Sequence, residues 1–445
     1  MACAGLVALF SGAGETEDLW RPIGIFTGIA VLALIMAVRM LGFDWFSAPV
    51  VYLSYLWLFH FPLVLFGCLI PATLGRLPPH IYRWTLVPGW YRAALISLTC
   101  AAAFTAGVTV ISSKSGDRRR QLLRNEADVS LAWLGLVEAL LGVGFVVSCV
   151  VQGGGRQAFE TSYIKLYDSV FAGSFGYGVV IFTIGISIAL AGVRRRQFPV
   201  LLGVEVLWAC VMLLLGARSA ALFCALMAVI VLVKRGAIVP RWIAVGAVVA
   251  VFWLAAVVGV ARQGAVQDNL AAATDSSPLD ALLEMGGSLY TVSLFDNWVL
   301  SGDKLQLGGG YWLPFERAIG LLLPNVRSDL ATDPRAASQV LLSRASGLGG
   351  SVVAEAYYNF GPLAPLIVFV PLGLLMAYLD RSARASVSTA WLIVLFYPLL
   401  MEVRDWFISV PAMIALGAIP LLMLKQWQRS RHTTPVSVRP QSDRC

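Results

Sequence analysis

The chain has 445 residues, 58% of them hydrophobic and only 13% charged, with a formal net charge of +8. A water-soluble globular domain is excluded by so apolar a composition, and repeated apolar runs of roughly 20 residues indicate a polytopic all-α membrane protein. The basic surplus lies in short clusters between those runs, so it reads as a topology signal and excludes nucleic acid as a partner.

In chain order, the opening MACAGLVALFSG is too short to span a bilayer, and no cleavable signal peptide is evident. Apolar runs set against Gly, Pro and charged breakers predict eleven spans, near residues 22–39, 47–70, 91–113, 129–151, 170–193, 199–215, 218–233, 241–260, 361–379, 388–403 and 408–425. Basic residues mark one side as cytoplasmic: Lys114 with Arg118, Arg119, Arg120 and Arg124; then Arg194 to Arg196; Lys234, Arg235 and Arg241; Arg381 and Arg384; and the tail from Lys425. With eleven spans all of these share a side, which leaves the N-terminus outside and the C-terminus inside. The loop 71–90, with Arg76 and Arg83, is mildly discordant. Glu138 and Glu205 fall mid-span and suggest a structural pair or a hydrated pocket.

The remaining segment, 261–350, is then one large external loop. From 262 to 350 it holds six basic residues against nine acidic ones, the reverse of the cytoplasmic connections. Within it, 279–300 and 311–323 read as short amphipathic or re-entrant helices at the membrane surface. Four units follow: an N-terminal transmembrane bundle 1–260, the loop 261–350, C-terminal spans 351–425 and a basic tail 426–445. No cysteine lies in the loop to staple it, and the three histidines (His60, His80, His432) lack metal-ligand spacing, so no metal or cofactor is expected.

Candidate chemistry gathers on the outer side. Arg218 stands between two spans too close for a true loop, Arg262 closes a span, and Arg404 with Asp405 sits at a tight outer turn in LLMEVRDWFISV. Taken singly these read as a snorkelling arginine, a flanking charge and a local ion pair. Together they place three guanidinium forks in one leaflet, where planar bidentate donors suit a pyrophosphate. The segment GLGGSVVAEAYYNFG (347–361) adds Glu355, Tyr357, Tyr358 and Asn359 where the loop re-enters the membrane. Glu355 there suits a general base toward a sugar hydroxyl, or a structural carboxylate partnered with one of the arginines.

Arg218 in GARSAAL, Arg262 before a long loop, Glu355 to Gly361 at its end and Arg404 near the last outer turn resemble the O-antigen polymerase (Wzy-type), or oligosaccharide repeat unit polymerase, family. Members often carry a Pro-Arg followed by a Lys-Pro step in the loop, whereas this chain reads FERAIGLLLPNVRSD, so loop roles transfer poorly to Arg317 or Arg327. The resemblance implies a GT-C-like helical core in the bacterial inner membrane. It implies a glycosyltransferase acting on undecaprenyl-pyrophosphate-linked oligosaccharide at the periplasmic face, independent of metal, with a chain-length regulator as possible protein partner. Arg218 and Glu355 would be catalytic, and Arg218, Arg262, Arg404, Tyr358, Asn359 and Arg317 would bind pyrophosphate or sugar. An O-antigen ligase, or a flippase of the same lipid-linked sugars, is the alternative.

Overall fold

The computed structural model describes residues 20–71, 82–86, 89–113, 127–153, 175–215, 217–236, 253, 257, 277–322, 333–345, 348–383 and 385–432. Among these residues the architecture is all-helical. Among the described residues, seven helices are long and apolar enough to cross a membrane, or eight if one bent pair counts as a single span. Together they make a polytopic membrane protein. The predicted span 241–260 and the basic cluster 114–124 lie outside the described residues, apart from Trp253 and Val257.

The first half comprises α1 (Trp20–Met40), α2 (Ala48–His60), α3 (Pro62–Leu69), α4 (Trp90–Ser113), α5 (Val129–Gln152), α6 (Phe175–Gly192), α7 (Phe198–Leu214) and α8 (Arg218–Lys234). The expected single span 47–70 is instead α2 and α3, bent by 57°. Pro62 opens α3; it lacks an N–H, so the ladder loses a bond and breaks there. The bend admits Gly286, where a Cβ would lie 2.5 Å from the backbone nitrogen of Leu63.

In lipid, helices gain little by burying apolar side chains against each other, so close backbone approach holds them instead. The antiparallel pair α5–α6 shows this. Gly135 and Gly142 on α5 and Gly178, Gly185 and Gly192 on α6 recur every seventh residue and keep one face bare. A Cβ at Gly185 would collide with the backbone of Ala139 and Gly135. Glu138 and Glu205, read from sequence as a structural pair or a hydrated pocket, share no hydrogen bond among the described residues. Glu205 accepts from Cys224 Sγ at 3.3 Å, and both oxygens of Glu138 lack a partner among the described residues.

The loop folds as α9 (Pro278–Met285), α10 (Ser288–Leu300), α11 (Gly309–Leu322) and α12 (Ala337–Arg344). The C-terminal part comprises α13 (Val352–Phe360), a π-turn (Pro365–Phe369) running into α14 (Val370–Ser382), α15 (Ser386–Met401) and α16 (Val410–His432). Within 279–300, read from sequence as amphipathic or re-entrant at the membrane surface, α10 packs one face against the bundle. Leu289, Val292 and Phe295 are fully buried, and Arg92 at the start of α4 holds Asp296 in a two-pronged pair at 2.9 and 3.3 Å. α11 keeps an amphipathic face, with Trp312, Phe315 and Ile319 exposed while Leu313 is buried.

Side-chain contacts place the basic connections at one end of the bundle. Lys234 pairs with Asp380 at 2.8 Å, Arg235 donates to Ser386 Oγ at 2.9 Å and to the Val193 carbonyl at 3.1 Å, and Arg381 donates to the Ile111 carbonyl at 3.1 Å. The loop helices, α13 and the turn 402–409 occupy the opposite end.

Candidate active site at the loop-bearing end

α13 carries the carboxyl singled out from sequence. Ser351 caps the helix by accepting the Ala354 N–H at 3.3 Å, and His60 Nε2 lies 2.8 Å from the Ser351 hydroxyl. The cap is thus anchored to the bend between α2 and α3. One turn on, Glu355 is 2% exposed and accepts the Phe407 N–H on Oε2 at 2.7 Å. Among the described residues its bond is to a backbone amide of the turn after α15 and not to an arginine. Burial pushes this carboxyl up to about 8, against the opposing Phe407 N–H, and the neighbouring Asp405 adds to the rise.

That turn runs Glu402-Val403-Arg404-Asp405-Trp406, because α15 ends at Met401 rather than at 403. Arg404 is exposed, and its guanidinium carbon lies 5.1 Å above the Phe59 ring. Gly349 faces it, where a Cβ would sit 3.6 Å from Nε, and a Cβ at Gly350 would lie 2.7 Å from the Asp405 backbone. A side chain at 350 would displace the turn. Burial holds Asp405 above its usual range, opposed by the Trp406 amide and by Arg404.

Beneath Arg404 runs an aromatic ladder. Tyr55 packs on Phe59 at 4.6 Å and on Phe223 of α8 at 5.3 Å, and Phe223 meets Tyr397 at 5.8 Å. Arg218 is the first residue of α8, five positions before Phe223. At a rise of about 1.5 Å per residue, the α8 start lies about 7.5 Å along the axis from the ladder. The backbone therefore brings residue 218 toward the end that exposes Arg404. The side chain of Arg218, and Arg262 altogether, lie outside the described residues.

Tyr358 and Asn359 hold the loop. Tyr358 is 3% exposed, with its ring 5.0 Å from Phe295. Its carbonyl accepts the Gln306 N–H at 3.2 Å. Burial raises its hydroxyl, Asp303 adds to that, and Gln306 and Arg344 oppose it. Asn359 is fully buried; Oδ1 accepts the Gly310 N–H at 3.0 Å, and Nδ2 donates to the Glu355 carbonyl at 2.9 Å. Arg317 is half-buried on α11 and makes no ion pair among the described residues. Its loop neighbours are neutralised: Arg335 by Glu316 and Asp333, and Arg344 by Asp303 at 2.6 Å.

Sequence reasoning missed Glu402, Tyr311 and His60. The signal for Glu402 was its place at the end of an apolar run, two residues before Arg404. Tyr311 lies between Phe360 at 5.9 Å and Phe407 at 4.8 Å, inside a helix whose amphipathic pattern gave no hint of a buried hydroxyl. Chemically the end offers an exposed guanidinium fork on an aromatic floor, backed by a carboxyl able to take a proton near neutral pH. Among the described residues, no group of three or more His, Cys, Asp or Glu is placed to hold a metal ion.

Comparison with known proteins gives the same direction. The profile described as O-antigen polysaccharide polymerase Wzy matches residues 21–313 and 336–430, which takes in α13, the turn 402–409 and both ends of the aromatic ladder. Protein CapE of Staphylococcus aureus is 24% identical over 234 residues, 51% of this chain and 52% of that protein, so the chain spans about half the length of this relative. No solved structure matches the chain. With its profile match running through most of its length, the chain belongs to the O-antigen polysaccharide polymerase Wzy family of surface polysaccharide biosynthesis.

Proposed function

We propose that this chain is a glycosyltransferase that polymerises oligosaccharide repeat units carried on undecaprenyl pyrophosphate, at the periplasmic face of the bacterial inner membrane. Eleven spans in a GT-C-like arrangement, with the loop-bearing end outside and the C-terminus inside, complete the picture; the one-sided basic connections support this orientation. The growing glycan is transferred from its lipid pyrophosphate to a hydroxyl of the incoming unit. The hydroxyl oxygen attacks the anomeric carbon, the bond to the pyrophosphate oxygen breaks, and the lipid pyrophosphate leaves with the electron pair. Arg404, with Arg218 and Arg262, meets the charge that develops on the leaving group, and Glu355 takes the hydroxyl proton. Tyr358 and Asn359 act by holding the loop that covers the sugars and limits water.

The observation that carries this reading is the 2.7 Å bond from the Phe407 N–H to Glu355, which ties the carboxyl to the turn that exposes Arg404. Glu355 is covered in this conformation, so the turn shifts as an acceptor approaches. The test is a surface-glycan gel from a strain lacking the gene, complemented with variants. Wild type restores a ladder and Arg404→Ala leaves a single-unit band. Glu355→Gln keeps an acceptor for the Phe407 N–H but takes no proton, so it also stops at one unit. A normal ladder from Glu355→Gln would reduce Glu355 to a positioning residue. Lipid-linked polymer accumulating in the deletion strain would instead indicate a ligase, and single units trapped on the cytoplasmic side a flippase.

A further inference from the structure

The last turn of α2 touches both halves of the proposed chemistry. Phe59 lies under the Arg404 guanidinium carbon at 5.1 Å, and the next residue, His60, reaches the N-cap of the helix that carries Glu355. His60 and Ser351 are both fully buried. Nδ1 of His60 lies 2.9 Å from the Leu56 carbonyl oxygen, and Nε2 lies 2.8 Å from Ser351 Oγ. A carbonyl oxygen only accepts, so Nδ1 carries a proton and donates to it. Ser351 Oγ already accepts the Ala354 N–H at 3.3 Å, and its own hydrogen has one acceptor among the described residues, Nε2. The ring is therefore neutral with Nε2 bare, because a second proton there would leave a buried hydroxyl hydrogen without a partner.

The strap that leads into α13 is gripped from two more sides. Thr291 Oγ1 of α10 donates to the Gly349 carbonyl at 2.8 Å, and Gly350 lies against the Asp405 backbone with no room for a Cβ. The Ser351 carbonyl accepts the Glu355 N–H at 3.0 Å, so Glu355 stands one hydrogen bond from the residue that His60 holds. We propose that His60 is a positioning residue: it fixes the direction of the Ser351 cap and so sets the Glu355 carboxyl in register with Arg404, which rests on the neighbouring Phe59. This rests on the polymerase reading above. One cap bond contributes little to the stability of a chain this size. A displacement of about 1 Å between reacting groups costs about a hundredfold in rate, so the effect of His60 falls on turnover.

The test uses the full chain reconstituted in phospholipid vesicles, with lipid-linked repeat units extracted from a strain lacking the gene. His60→Leu and Ser351→Ala each lower kcat by about tenfold or more and leave KM within about twofold. The double variant is no slower than the slower single, because both substitutions remove the same bond. His60→Gln, whose side-chain oxygen reaches the place of Nε2 and accepts the Ser351 hydrogen, keeps kcat within about threefold of wild type. Nitrogen magnetic-resonance spectra of histidine-labelled protein show a neutral ring protonated on Nδ1, which disappears in His60→Gln and whose Nε2 signal moves in Ser351→Ala. Wild-type turnover in either single variant, additive losses in the double, no rescue by His60→Gln, or a proton on Nε2 overturns the proposal. If His60→Leu does not accumulate, Ser351→Ala must still lose turnover and His60→Gln must still keep it, and the reverse of either overturns it. If wild type makes no polymer, the polymerase reading fails, and the spectra still decide whether His60 holds Ser351.

Discussion

Between α5 and α6 the contact is backbone on backbone, with glycines seven residues apart and no ion pair needed. At the loop-bearing end the joints are polar and distant in sequence: Arg92 with Asp296, His60 with Ser351, Phe407 with Glu355, Asn359 with Gly310. The difference follows from solvent. A helix pair in lipid gains little from apolar side chains, so it closes by removing them. A loop that folds back over helix ends has backbone donors without partners, and these need named acceptors. The first joint resists adjustment. The second can shift with substrate, which is where a catalytic end belongs.

The comparison breaks most severely at Gly185. Gly185→Leu forces a side chain into the α5 backbone and costs more than about 3 kcal/mol; detergent-extracted protein should aggregate on size-exclusion chromatography, and a monodisperse peak would show the seam to be slack. Asp296→Ala comes next. Leaving Arg92 without its partner costs about 3 kcal/mol, and proteolysis should then cut within 301–308 while the α5–α6 pair stays protected.

The pH response sharpens the contrast further. Glu355 has a folded value raised to about 8, above its ordinary unfolded range, so its neutral form favours the folded state. Its contribution is greatest at low pH, is lost as pH climbs from the ordinary carboxylate range toward 8, and is level above that. Glu402 acts in the same sense. Thermal midpoints measured from pH 5 to 8 should fall, and Glu355→Gln should flatten the slope; an unchanged slope would remove Glu355 as its source. The smallest effect on stability belongs to Arg404→Ala. An exposed cation over one ring contributes about 0.5–1 kcal/mol, so the midpoint barely moves while polymer is lost. A large drop in the midpoint would make Arg404 structural.

Much of the scaffold was legible in the residues. The apolar runs gave most of the helices, and the basic clusters Arg194 to Arg196, Lys234 with Arg235, and Arg381 gathered at one end as their charges required. Glu355 and Arg404 were visible because a carboxylate and a guanidinium stand out against apolar flanks. The bend at Phe61 was also written in Pro62, but hydropathy carried the span across it.

Hydropathy, charge placement and Pro or Gly breakers are local quantities, and through them the sequence by itself determined that the chain is a multi-pass helical protein with a polar end. Tertiary structure decided everything that depends on partners far along the chain. It packed one face of α10 against α4 and α13 and turned Asn359 into a clip for Gly310. It gave Glu355 a backbone amide from residue 407. It also set Tyr311 of α11 against Phe407, whose amide Glu355 holds. Burial and electrostatic coupling depend on distance in space, and no window along the sequence carries that distance.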